Sequence, residues 1–288
     1  MTAAVAAALA AMPDRELAAL VEAGPIVVAG TPVFAKRVAL TELERANPGS
    51  TANLFGLPEF YQYRLGSSGF GVWREIAAHE QATAWALAGE CTGFPLLHHW
   101  RVLDVAPPAF PPAMVDHWAA QWENVPAIRT RLEAISRATA SVVMFSEQVP
   151  STVHAWLVAH PDPEAACALV AREALRIAAF LRAHAMIHFD MHFHNLLTDG
   201  TRLYLADFGL AVSRDFELSA GELRFFERHA GYDACVVSTE LANRLVKRFP
   251  EARPAWATAM LAHHAPIADA LNAHYDQLRA AKTTPYPL

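Results

Sequence analysis

Residues 188–211, HFDMHFHNLLTDGTRLYLADFGLA, constrain this chain more than any other stretch. Three histidines, three aspartates and one asparagine lie among apolar runs that read as strands. LLTDGTRLYLAD reads as a tight hairpin around Asp199-Gly200, because Asp-Gly supplies the left-handed backbone that a two-residue turn needs. The hairpin returns the chain on itself, so Asp190 and Asn195 at its entrance come near Asp207 at its exit. Three oxygen groups without a compensating lysine or arginine beside them suit a hard divalent cation and a general base. His188 and His192 are four apart and His194 follows, a spacing that can share a zinc ion on a helix. The segment reads as a loop and HExxH is absent, so the zinc reading is set aside.

The rest of the chain bounds what can surround this stretch. A sequence of 288 residues that is 53% hydrophobic and 18% charged can bury a sizeable core in one large or two small domains. The net charge of −6 argues against a nucleic-acid binder held by phosphate contacts. No apolar run reaches the roughly 18 residues of a membrane span. The start, MTAAVAAALAAM, lacks a basic flank, so a signal peptide is not expected, and Asp14 is read as the cap of a helix through Leu17, Leu20 and Val21. Cys91, Cys167 and Cys235 stand far apart with no CxxC. They read as free thiols in a reducing cytosol, which makes a cytoplasmic protein the expectation.

Along the chain, PIVVAGTPVFAKRVAL (25–40) reads as a β-hairpin turning near Ala29-Gly30-Thr31. Residues 41–72 read as irregular, with an aromatic cluster of Phe55, Phe60, Tyr61 and Tyr63. A helix is expected from Trp73 to about Glu90, a strand over 94–105, a helical insert to about Arg137, and a buried strand over 141–149. Asp162-Pro163 opens a long helix, and Ser219 and Glu222 are spaced as a capping box. Strands dominate the first half and helices the second, with the boundary near Pro150.

HxDxxxxN followed by a hairpin and Asp207-Phe208-Gly209 resembles the catalytic loop and metal-binding segment of the protein-kinase-like superfamily. The resemblance implies an α+β, two-lobed kinase-like fold. Residues 1–149 would form the N-lobe, with insertions at about 41–72 and 106–140, and residues 150–288 a short helical C-lobe. It implies ATP and Mg²⁺, with Asp190 as the base on an acceptor hydroxyl and Asn195 and Asp207 as metal ligands. Lys36 would hold phosphate; it is the only lysine in the first 246 residues of a chain that otherwise chooses arginine. Its carboxylate partner is Glu75 or Glu80, which lie roughly 140° apart around a helix, and Arg74-Glu75 favours Glu75. Ser146, Glu147 and Val149 would meet the adenine, with Phe208 and Gly209 beside the nucleotide.

The chain departs from the family pattern in the length of its 106–140 insert, in having no APE after Asp207-Phe208-Gly209, and in two further features. No GxGxxG precedes Lys36; GSSGFG (66–71) lies after it and could cradle phosphate at a helix N-terminus. Phe34 stands where a small residue usually faces adenine. The insertions, with Phe55, Tyr61 and Tyr63, are expected to shape the acceptor side or a partner surface. The expected activity is transfer of the γ-phosphoryl group to a hydroxyl of a small molecule or of a peptide Ser/Thr. A nucleotide-binding pseudokinase and a nucleotidyltransferase on the same fold are the alternatives, and neither nucleic acid nor membrane is an expected partner.

Overall fold

The computed structural model describes residues 2–288. The alanine-rich start is a helix, α1 (Thr2–Ala11), followed by α2 (Asp14–Ala23). Asp14 does not cap α2. Pro13, in extended backbone, is the capping residue, and the Asp14 carboxylate instead accepts from Arg101 Nη1 at 3.1 Å. Arg101 also donates to the Ala10 and Met12 carbonyls, which satisfies the open end of α1.

β1 (Ile26–Val28) and β2 (Thr31–Leu40) form the expected hairpin, with positive φ at Ala29 and Gly30 as a tight two-residue turn requires. After the short α3 (Glu42–Arg45) and a 3₁₀ turn at Glu59–Gln62 comes the long α4 (Val72–Leu87). β3 (Leu97–Leu103), α5 (Pro112–Gln121), α6 (Pro126–Ser136) and β4 (Ala140–Glu147) follow. The four strands form one antiparallel sheet in the order β1-β2-β4-β3. β4, the expected buried strand, is central in this sheet, between β2 and β3.

Strand alternation gives this sheet two apolar faces. Val33, Val143 and Phe145 pack with Val5, Leu9 and Leu17 of α1 and α2. Leu40, Val142 and Met144 pack with Trp73 and Ile76 of α4. Lys36 shares the even-numbered face of β2 with Leu40, so the period of two aims it at α4.

The second half is mainly helical. The two-residue β5 (Ser151–Thr152) leads into α7 (Val153–Ala159). α8 (Pro163–Ala183) is capped by Asp162 and buries Val170, Ala174, Ile177 and Leu181. β6 (Met186–Ile187) pairs with β9 (Val212–Ser213). Between them, β7 (Leu196–Thr198) and β8 (Leu203–Leu205) make the hairpin about Asp199-Gly200. α9 (Ala220–Arg228) begins with the Ser219–Glu222 capping box, and α10 (Tyr232–Arg248) and α11 (Ala255–Ala280) complete an α+β molecule. Among the described residues no helix is long and apolar enough to cross a membrane. The three cysteines are free, with Cys91 and Cys167 buried.

The aromatic cluster of 41–72 does not form an open surface. Tyr61 and Tyr63 are buried and Phe55 is half-buried. Tyr63 lies edge-on to Phe225 and His274, and Tyr61 edge-on to Trp122. These rings close a core between the insertions and the C-terminal helices, because large apolar rings gain most where several elements cover them.

Candidate functional site

Lys36 Nζ donates to Glu75 Oε1 at 2.6 Å and to Asp207 Oδ1 at 2.7 Å. Glu80 points outward and accepts from Trp100 Nε1 at 2.8 Å, so Glu75 is the carboxylate beside Lys36. Burial alone would lower the Lys36 ammonium; the Glu75 and Asp207 charges more than offset it and hold it above its ordinary value. Burial likewise works against Asp207, yet Lys36 draws its carboxyl down to about 2. Asp207 is therefore an anion at neutral pH.

The loop before Asn195 is held by buried groups. Burial pushes the His188 imidazole down to about 4, so the ring is neutral. Its Nε2 lies 3.0 Å from the Ala206 carbonyl, and its Nδ1 accepts from the Asp190 N–H at 3.2 Å. One tautomer satisfies both contacts and ties Asp190 to the residue before Asp207. Phe189 and Asp207 both have φ near 63°, in the left-handed region that costs a non-glycine residue about a kcal/mol or more. The strain at Phe189 is offset by Asp233, whose carboxylate accepts from the His188 and Phe189 N–H groups at 2.7 and 3.0 Å. Burial pushes the Asp233 carboxyl up to about 7 against those two donors. Asp233 was not read from the sequence. The available signal was an acid set among apolar residues in GYDACVV.

Asn195 Nδ2 donates to the Asp190 carbonyl at 3.0 Å and to Asp190 Oδ2 at 3.1 Å. Asp190 Oδ1 is buried with no hydrogen-bond partner and lies 3.5 Å from His192 Nε2. Burial raises the Asp190 carboxyl, and His192 and then Arg64 pull it back. The three histidines do not converge on a metal. Among the described residues no group of three or more His, Cys, Asp or Glu side chains could hold one.

Two clefts flank the Asp190–Asn195 pair. The first, about 400 Å³, is lined by Lys36, Asn195 and Asp207 at one end and by Ser146, Glu147 and Val149 at the other. Phe34, on β2 opposite Ser146, also lines it and is half exposed. The Val149 N–H makes no hydrogen bond among the described residues. The second cleft, about 630 Å³, is lined by Asp190, His192, Arg64 and residues of α10 and α11.

Several expected members fall outside these linings. Phe208 is buried edge-on between His79 and His188, with ring centroids 4.9 and 5.0 Å away. Gly209 turns its N–H toward Asp207 Oδ1 at 3.4 Å, behind the first cleft. Both shape the Asp207 turn. At the N-terminus of α4 that follows residues 66–71, the first N–H, from Val72, is taken by the Glu44 carboxylate at 3.0 Å and is not open to a phosphate. Gly69 instead abuts the Gly209 carbonyl so closely that a Cβ would collide with it. Arg64 to Ser67 line the second cleft, whereas residues 106–140 line neither and pack behind the 41–72 segment.

Chemically, the first cleft offers one ionised carboxylate and one amide oxygen beside an ammonium. Asn195 Oδ1 carries no hydrogen bond among the described residues. Such hard oxygen donors fit Mg²⁺, which takes one or two protein ligands and completes its shell with phosphate oxygens and water. Compared with known proteins, the chain matches no protein-family model and no curated protein.

Proposed function

We propose that the protein is a phosphotransferase of the protein-kinase-like type, with a two-lobed architecture split near residue 150, moving the γ-phosphoryl group of ATP to a hydroxyl. The observation that carries this reading is the bonded Asp190–Asn195 pair between two clefts: Asn195 lines the Lys36–Asp207 cleft and Asp190 lines the second. ATP would lie in the first cleft, its adenine edge on the Glu147 carbonyl and the Val149 N–H and its phosphates toward Lys36. Asn195 and Asp207 would hold Mg²⁺, which supplies positive charge to the phosphate oxygens. The acceptor oxygen bonds to the γ-phosphorus as the bond from that phosphorus to the β,γ-bridging oxygen breaks. ADP leaves with the electron pair, and the hydroxyl proton passes to Asp190 and then to solvent.

The test is nucleotide binding followed by chemistry. ATP with Mg²⁺ at ~100 times its dissociation constant should add about 2.7 kcal/mol to stability, read as a rise in melting temperature. Asp207→Ala should abolish the Mg²⁺-dependent part of that rise, since it removes the charged metal ligand. Absence of any shift with any nucleotide rejects the reading. Mass spectrometry of acceptors incubated with ATP and Mg²⁺ separates a gain of phosphate from a gain of AMP, the mark of nucleotidyl transfer. A nucleotide-binding pseudokinase is the second reading. It is favoured by the two-residue turn at Ala29-Gly30, which leaves no glycine-rich loop over the phosphates. ATP binding with no modified acceptor would select it.

The acid side of the activity profile should also respond to His192. Activity needs Asp190 ionised, so it rises with pH through the Asp190 pKa, and His192 holds that pKa down. His192→Phe should therefore move the acid limb of kcat/KM to higher pH. A profile that stays in place would separate His192 from the base.

A further inference from the structure

The second cleft lies between the 64–67 segment and helices α10 and α11, with Asp190 in its wall. Its volume of about 630 Å³ is within the roughly 300–1,000 Å³ of small-molecule sites. Its cations are already matched by the protein. Arg64 is paired with Glu240 at 3.3 Å, and Arg279 with Asp276 at 2.5 Å. Each cation thus faces an acid, so the cleft carries no excess positive charge to favour an anionic ligand. The apolar lining is slight, chiefly Leu65 and Leu210.

What the cleft does offer is neutral donors and acceptors in balance. Asn243 and Asn272, one on each helix, bond each other reciprocally at 3.4 and 3.1 Å. Each amide uses one N–H and one lone pair in that pair, which leaves one N–H and at least one lone pair on each side chain. A hydroxyl is the ligand group that donates and accepts at once, so a run of hydroxyls matches this wall. Asp190 lines the same cleft and adds a carboxylate beside these amides, its Oδ1 turned inward 3.5 Å from His192 Nε2. An extended peptide docks by backbone pairing to a strand edge, and no strand lines this cleft, whose walls are loop residues and helices α10 and α11.

We propose that the second cleft takes a neutral polyhydroxylated acceptor, a sugar or sugar-like polyol. The proposal rests on the phosphotransferase reading for its chemistry but not for its binding. One acceptor hydroxyl lies at Asp190 while others bridge Asn243 and Asn272.

The test uses the full chain and two readouts. D-Glucose, D-ribose, myo-inositol and glycerol are compared with choline, glycerate and a Ser/Thr peptide. Saturation-transfer NMR reads binding without nucleotide, and ³¹P NMR reads transfer from ATP with Mg²⁺. At least one neutral polyol should bind and become phosphorylated. Asn272→Leu should raise its KM about tenfold, the effect of one lost hydrogen bond left unpaired on a ligand, with the KM for ATP unchanged. Asn243→Leu gives an independent second variant; both positions are exposed enough for the fold to tolerate them. Polyol binding that Asn272→Leu weakens about tenfold, with no phosphorylated product, upholds the ligand class and rejects the phosphotransferase reading. Transfer to choline, glycerate or the peptide alone, no polyol bound, or a KM indifferent to Asn272→Leu overturns the proposal.

Discussion

Asp190→Asn is expected to lower turnover by about 10²- to 10⁴-fold, the scale of a lost general base, while leaving ATP affinity unchanged. The substitution is nearly isosteric. Its amide oxygen can still accept from Asn195 Nδ2, the bond that now holds Oδ2 at 3.1 Å. Only the charge and the proton-accepting oxygen are lost. Asp190 lines the second cleft and not the first, so the nucleotide should not sense the change. Steady-state kinetics on a proven acceptor, with calorimetry for ATP, separates the two effects. Wild-type turnover in this variant would remove Asp190 from the role of base.

Glu44→Ala should destabilise the fold by about 3–5 kcal/mol, the range for breaking one side of a buried ion pair. Glu44 is 1% exposed. Its carboxylate accepts from Thr41 Oγ1 at 2.6 Å, from the Thr41 and Val72 N–H groups at 3.0 Å each, and from Arg131 Nη1 at 3.2 Å. Removing it strands the Arg131 charge in the interior and leaves two backbone donors without partners. It also loosens the start of α4 three residues before Glu75, so Lys36 should lose part of its fixed partner. Urea denaturation measures the loss. The double variant Glu44→Ala/Arg131→Met should recover part of it, because the stranded charge is then gone. A midpoint equal to wild type in Glu44→Ala would show that the network contributes nothing to stability.

The readable parts of this fold are those governed by neighbours in the chain. The Asp199-Gly200 turn, the Asp162 cap, the Ser219–Glu222 box and the alternation that aims Lys36 at α4 all follow from rules spanning a few residues. The unreadable parts depend on partners far away. Asp233 meets the backbone of His188 and Phe189 across more than forty positions, and nothing local marks it as their acceptor. Tyr63 looked exposed beside turn-forming residues, yet it bonds His229, 166 positions on. Asp14 has the right chemistry for a cap, but Arg101 competes for its carboxylate. At the candidate site, the spacing of Asp190, Asn195 and Asp207 was legible because one hairpin sets it. The second cleft was not, since its wall joins a loop at 64–67 to helices nearly two hundred residues later.

The Gly69 contact bears on how such a protein can be controlled. Gly69 presses on the Gly209 carbonyl, and Gln62 Nε2 donates to the Leu210 carbonyl. β9 begins three residues after Gly209 and is paired at once with β6. The turn after Asp207 is held on both sides, so displacing it would also open the core beneath Tyr61 and Phe70.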